Sequence, residues 1–80
     1  MVTVHRQDGF RLVIYLEDHE PPHVHVYASG AEAKIGLLAQ DGHPYVIRAF
    51  AMRAGDLRKA VQLVSEQQAM LVAKWREIHG

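Results

Sequence analysis

The sequence feature that most constrains the fold is the segment 18–26, Asp-His-Glu-Pro-Pro-His-Val-His-Val. Its two prolines have no backbone N–H to donate, so the chain around them cannot lie in the central ladder of a sheet. From residue 23 onward, polar and apolar residues alternate, which is the period of a β-strand. We therefore predict a connection over 17–22 and a strand over 23–28. This strand directs Val24 and Val26 to one face and His23, His25 and Tyr27 to the other.

Other segments have the composition or alternation of strands. They are Val2–Arg6, Phe10–Leu16 and Ala31–Leu38. Residues 43–50 form either a fifth strand, at an edge of the sheet because of Pro44, or irregular chain. Turns are predicted at Gln7–Gly9, Ser29–Gly30 and Asp41–Gly42, because glycine accepts a positive φ.

The length of each turn predicts how the strands pair. A two-residue turn at Ser29–Gly30 sets Val26 opposite Ala33, Val24 opposite Ile35, His25 opposite Lys34 and Tyr27 opposite Glu32. A four-residue loop would instead set Glu32 opposite His25. A three-residue turn at 7–9 sets Arg6 opposite Phe10, Val4 opposite Leu12, Val2 opposite Ile14 and His5 opposite Arg11.

The C-terminal segment Asp56–Ile78 is predicted to be one long helix, since no proline interrupts it and Gly80 follows its end. Its apolar residues recur at helical spacing and form the stripe of a helix packed on a sheet. The predicted fold is therefore α+β, a single domain over residues 1–80. An antiparallel four- or five-stranded meander carries the long helix on one face. The stripe consists of Leu57, Ala60, Val61, Val64, Gln68, Leu71, Val72, Trp75 and Ile78.

Composition narrows the functional class. Nine basic and nine acidic residues cancel among the 80, so net charge does not indicate nucleic acid as a partner. Cysteine is absent, which excludes disulfides and thiolate metal sites. A chain of this length without disulfides is typical of cytoplasmic proteins. No run of apolar residues approaches the length of a membrane span.

A single helix covers only one face of an antiparallel sheet, so the predicted pairing leaves a second, polar face. This face is either solvated or a binding surface that continues into the loop at residues 18–20. The residues that we place on it are Thr3, His5, Arg11, Tyr15, His23, His25, Tyr27, Glu32 and Lys34.

The histidines of this face suggest two kinds of chemistry. His23 and His25 point to the same side of one strand, and with His19 and Asp18 or Glu20 they form a candidate site for a divalent metal, zinc or nickel. A cation at Lys34, opposite His25, argues against a metal.

The alternative is catalysis, in which His23 or His25 acts as a general base oriented by Asp18 and Tyr15 or Tyr27 donates to developing charge. Arg11 and Lys34 beside paired histidines also suit phosphodiester chemistry.

The segment 18–26 resembles the hallmark of a family of small bacterial proteins described only as a domain of unknown function, DUF4160. The resemblance extends to 3–10, to Gly30–Ile35 and to the C-terminal segment from Asp56 to Trp75, and it departs between Gly36 and Ala54. It implies a compact α+β domain and a small protein partner encoded nearby, in pairs resembling toxin–antitoxin modules. By motif match the residues to watch are Asp18, His19, Glu20, Pro21, Pro22, His23, His25, Glu32 and Lys34.

Two residues of the helix lie outside its apolar stripe. Leu63 and Met70 are seven residues apart on one line, which is the spacing of a helix–helix seam. They predict a small interface, with a partner helix or with a second copy in a weak homodimer.

Together these features predict a small intracellular binding module that acts through its polar sheet face, and the resemblance implies that it belongs to a two-gene toxin–antitoxin-like system. One alternative is a metal- or histidine-dependent, nuclease-like enzyme. Another is a structural subunit without a ligand.

Overall fold

The sheet is a five-stranded antiparallel meander in which every strand pairs with its neighbour in sequence, in the order β1-β2-β3-β4-β5. The computed structural model describes residues 1–80. The strands are β1 (Val2–Gln7), β2 (Phe10–Ile14), β3 (His23–Ala28), β4 (Ala31–Gly36) and β5 (Tyr45–Phe50), followed by helices α1 (Ala54–Glu66) and α2 (Gln68–His79). The α+β prediction is confirmed, and residues 45–50 form the fifth strand at the sheet edge.

The β3–β4 hairpin has the predicted register. Ser29 and Gly30 form a two-residue turn with φ of 46° and 81°, the left-handed values that match the twist of the flanking strands. His25 lies opposite Lys34 and Tyr27 lies opposite Glu32. The four-residue alternative is therefore wrong.

The β1–β2 hairpin differs from the prediction. Its turn has two residues, Asp8 and Gly9, so Arg6 pairs with Arg11 and His5 pairs with Leu12. A β-bulge between Thr3 and His5 then restores the predicted pairing of Val2 with Ile14 and lets Val4 pack against the core. His5 consequently lies opposite a core residue instead of on the polar face. Its Nε2 lies 2.9 Å from Gln7 Oε1.

The core lies between one face of the sheet and the two helices. The predicted helical stripe supplies Ala60, Val64, Leu71 and Trp75, all buried. The sheet contributes the alternating apolar residues of the face that packs on the helices. All six are fully buried: Leu12, Ile14, Val24, Val26, Ala33 and Ile35. Neither helix has the length and apolarity needed to cross a membrane.

The predicted single helix is wrong, because the chain leaves helical geometry at Gln67, where φ is −103° and ψ is 14°. Tertiary hydrogen bonds hold the chain at this break. The side-chain amide of Gln68 donates to the carbonyls of Leu37 and Gly42 at 2.7 and 2.9 Å. The side chain of Gln68, at the start of α2, thus satisfies two carbonyls of the β4–β5 loop.

Leu63 and Met70, the two residues of the predicted interface, both pack against the core of this chain. Leu63 is 4% exposed and belongs to the same apolar cluster as Phe10, and Met70 is half-buried against that cluster. The covered arc of α1 is wider than the stripe suggested, because Phe10 and Asp8 at the β1–β2 turn flank Leu63. Both side chains therefore serve the core of one chain.

Truncating Leu63 tests this assignment. Leu63→Ala is expected to lower the free energy of unfolding by about 2–5 kcal/mol, the range for a large apolar side chain removed from a core. Leu16→Ala is the control, because Leu16 is 60% exposed, and its effect is expected to stay within about 0.5 kcal/mol. Urea denaturation measures both. Equal small losses would contradict the burial of Leu63.

Candidate metal centre

The loop between β2 and β3 folds back so that Asp18 faces strand β3. Two hydrogen bonds fix this reversal, since Asp18 N–H donates to the Tyr15 carbonyl at 3.1 Å and Tyr15 N–H donates to Asp18 Oδ2 at 2.9 Å. The other oxygen, Oδ1, lies 3.3 Å from Nε2 of both His23 and His25. One carboxylate oxygen is thus shared by two imidazoles.

His23 has its protonation pattern set by the backbone. Its Nδ1 lies 2.8 Å from the Pro21 carbonyl, which only accepts, so Nδ1 carries a hydrogen. In the neutral ring Nε2 is therefore a bare lone pair, and it is buried without a hydrogen-bond partner. It faces the Asp18 oxygen, so two acceptors meet unless a proton or a cation lies between them.

His25 also has one nitrogen that faces a carboxylate without a hydrogen bond. Its Nε2 is directed at Asp18, and its Nδ1 is buried without a hydrogen-bond partner, 3.5 Å from Glu32 Oε2. Edge contact with the Tyr15 ring at 4.8 Å and stacking with the Tyr27 ring at 6.5 Å fix the plane of the imidazole. His25 is 8% exposed and therefore lies largely out of water.

The ligand atoms of Asp18, His23 and His25 lie within 4.8 Å of one another. Two of the three separations are 3.3 Å. Ligands about 2.05 Å from a tetrahedral zinc ion are about 3.3–3.4 Å apart, whereas charge-assisted hydrogen bonds span about 2.7–2.9 Å. The two 3.3 Å separations therefore match neighbouring ligands of one tetrahedral ion and are long for charge-assisted hydrogen bonds, and the third separation lies within 4.8 Å.

A carboxylate and two phenols surround His25. Tyr15 and Tyr27 share a hydrogen bond of 2.6 Å between their hydroxyls. Burial, the hydrogen bond to Tyr15 and the negative charge of Glu32 raise the pKa of Tyr27, which keeps its hydroxyl protonated. Burial would also raise the pKa of Asp18, but the Tyr15 N–H donor and the two imidazoles bring it below its ordinary value, so Asp18 is a carboxylate.

The structure assembles only part of the predicted residue set. Asp18, His23 and His25 converge, with Tyr15, Tyr27 and Glu32 around them. His19 and Glu20 are exposed in the loop, and His19 is not among the ligand atoms that converge, because the loop directs Asp18 inward instead. Lys34 lies opposite His25 as predicted, and Arg11 lies over the Tyr27 ring at 5.3 Å.

Two features of the site were not predicted from the sequence. His23 was assigned to the face away from the helix, yet its ring lies 5.1 Å from that of Trp75 in α2. Trp75 had been assigned only to the core stripe. The Pro21 carbonyl was the other omission. Because Pro21 lies only two residues before His23, the sequence could have indicated its carbonyl as a hydrogen-bond partner of this histidine.

The network of Tyr15, Tyr27 and Glu32 predicts that the Tyr27 hydroxyl has a raised pKa. Tyr27 is expected to ionise well above the ordinary tyrosine pKa of about 10, and Glu32→Gln should lower the Tyr27 pKa because it removes the negative charge that disfavours the phenolate. Glu17→Gln is the control, an exposed carboxylate outside the network. NMR of ¹³C-labelled tyrosine resolves the three residues. Titration of Tyr27 near a pKa of about 10, unchanged by Glu32→Gln, would contradict the network.

Comparison with known proteins identifies the family. The model of a domain of unknown function, DUF4160, matches residues 9–76. No curated protein and no solved structure matches the chain. The match includes every residue of the candidate metal centre and confirms the resemblance seen in the sequence. This chain belongs to the DUF4160 family.

Proposed function

We propose that this domain is a small cytoplasmic binding module that holds one divalent transition-metal ion, zinc or nickel, on Asp18, His23 and His25. The observation that carries the proposal is the pair of 3.3 Å separations between Asp18 Oδ1 and the two Nε2 atoms. They are too long for strong ion pairs and match neighbouring ligands of a tetrahedral metal.

A bound metal would also remove two contacts in which acceptor atoms face each other, that of His23 Nε2 with Asp18 Oδ1 and that of His25 Nδ1 with Glu32 Oε2. The Nε2 lone pairs of His23 and His25 go to the ion, so His25 Nδ1 carries the hydrogen and is able to donate to Glu32. A metal-ligating histidine typically donates its other N–H to a carboxylate or a backbone carbonyl. Glu32 and the Pro21 carbonyl lie at these two positions.

The ligand chemistry decides between metals. Two imidazoles and one carboxylate suit zinc, nickel and related transition ions, whereas calcium and magnesium prefer oxygen ligands. Three protein ligands leave a coordination position for water or a bound molecule, as in catalytic zinc sites. The charge of the ion offsets the two carboxylates of Asp18 and Glu32.

Isothermal titration with zinc and nickel tests the proposal. Wild type is expected to bind one equivalent, and His23→Ala/His25→Ala and Asp18→Asn are expected to lose it. His19→Ala is the matched control, because it removes an exposed histidine of the same loop. Equal heats for wild type and the double variant, or a loss in the control as large as in the double variant, would overturn the site. Circular dichroism checks that each variant is folded.

A protein partner is a second part of the proposal, supported by the groove between β5 and α1. Val46 is 42% exposed, and with Leu57 and Val61 it lines an open apolar groove. Its strand has no neighbour on its outer side. An edge strand beside an apolar groove suits strand addition by a small protein. We propose that this partner is encoded nearby, in a toxin–antitoxin-like pair.

Sedimentation with the purified product of the neighbouring gene tests the partner. Val46→Lys is expected to abolish a complex that wild type forms, because a charge would enter the apolar groove. Leu38→Lys is the control, an apolar residue 52% exposed outside that groove. An unchanged complex with Val46→Lys would exclude this surface.

A further inference from the structure

The row of residues that passes through His25 carries two cations beyond it. His25 pairs with Lys34, and Lys34 pairs with Arg48 across β3, β4 and β5. Paired residues of neighbouring strands point to the same face, and neighbouring strands lie about 4.8 Å apart. Lys34 and Arg48 are therefore one and two strand spacings from a proposed metal ligand, on the same face of the sheet.

Neither cation has an acidic partner. The carboxylates within 4.0 Å of a basic group in this molecule belong to Asp18 and Glu32, which contact histidines, and to Glu77, which contacts Lys74. A chain with equal numbers of acids and bases has thus left two adjacent cations unpaired beside its candidate metal centre. Their charge offsets that of the Asp18 and Glu32 carboxylates, so an ion in the metal centre would make this patch net positive.

An exposed aromatic ring lies beside the cations. Phe50 is 70% exposed and follows Arg48 by two residues on β5, so both point to the same face. It pairs with Glu32, two residues from Lys34. Neither the core nor the metal centre uses this ring. Cations alternating with aromatic rings on an open sheet are the surface on which single-stranded nucleic acids bind, with bases stacked on the rings.

The metal centre supplies what this surface otherwise lacks. Without an ion, the carboxylates of Asp18 and Glu32 repel an anion near His25. With an ion, the coordination position left by three protein ligands attracts a phosphate oxygen. Lys34 and Arg48 are placed to bind the phosphates that follow along a nucleic-acid chain whose first phosphate is at the metal. The guanidinium of Arg48 is suited to bind a phosphate through two hydrogen bonds.

We infer that the polar sheet face binds a single-stranded nucleic acid, with one phosphodiester group at the metal and the next two on Lys34 and Arg48. This inference rests on the proposed metal site and names its ligand class. Because the metal and the phosphodiester attract each other, each tightens the binding of the other by the same factor.

The test is fluorescence anisotropy of a short labelled single-stranded oligonucleotide with zinc-loaded protein over a salt series. Lys34→Gln/Arg48→Gln is expected to weaken binding tenfold or more. Its slope of log affinity against log salt should be shallower by about 1.4, since each single-strand phosphate contact contributes about 0.7. Phe50→Ser should weaken binding about tenfold through lost stacking. Chelation of zinc should weaken wild-type binding at least tenfold.

The control is Arg58→Gln/Lys59→Gln, which removes the same charge from exposed positions on α1. It should stay within twofold of wild type. Equal losses in the two double variants would overturn the inference, because net charge alone would then explain binding. Inorganic phosphate or a nucleoside monophosphate that competes as well as the oligonucleotide would also overturn it, in favour of a small phosphate ligand.

The outcomes separate this inference from the proposed function. Zinc binding in the calorimeter with no oligonucleotide binding overturns the inference and leaves the metal site standing. Oligonucleotide binding that is unchanged by chelation overturns the linkage to the metal. Absence of zinc binding removes both.

Discussion

The central strand of this domain is buried on both faces, although its helices cover only one, and the rest of the site depends on that constraint. Val24 and Val26 lie under the helices, whereas His23 and His25 point to the face without a helical layer. Buried imidazoles need polar partners, because leaving their nitrogens dry and unpaired is costly. The β2–β3 loop and one end of α2 provide the cover, and this requirement brings Asp18 inward.

The four imidazole nitrogens divide into an outer and an inner pair. The outer nitrogens face a backbone carbonyl and a carboxylate, from Pro21 and Glu32. The inner ones converge on a single oxygen of Asp18. Protons alone would satisfy this arrangement only by placing two imidazolium charges in a largely dry site, where solvation of charge is poor. A divalent ion would place the same total charge at one point and leave both outer hydrogens in position to donate.

Local chemistry made much of the fold predictable, and tertiary contacts explain what was missed. Ser29–Gly30 predicted the β3–β4 register as a two-residue turn, and the structure has this register and not that of the four-residue loop. At the first hairpin the same rule applied to Asp8–Gly9, but a bulge at Val4 restored the core alternation and so hid the turn length. No glycine or proline marks the helix break at Gln67, since the bonds that hold it come from carbonyls in a distant loop.

The site itself was predictable to the level of a motif but not of a ligand set. Histidines two apart on a strand point to one side whatever the rest of the fold does. Which loop residue joins them depends on the direction of the loop, and the backbone bonds between Tyr15 and Asp18 exclude His19. Trp75 was assigned to the helical stripe correctly, but its contact with His23 was not predicted.

The close spacing of the site along the chain has a consequence for folding. Asp18, His23 and His25 fall within eight residues (18 to 25), and each strand pairs only with its neighbour, so these contacts close short loops at low entropic cost. The one contact with a distant segment is that of His23 with Trp75, 52 residues further on (from 23 to 75). We therefore expect the site to assemble early, in the nascent hairpins, and the C-terminal helix to dock on it later.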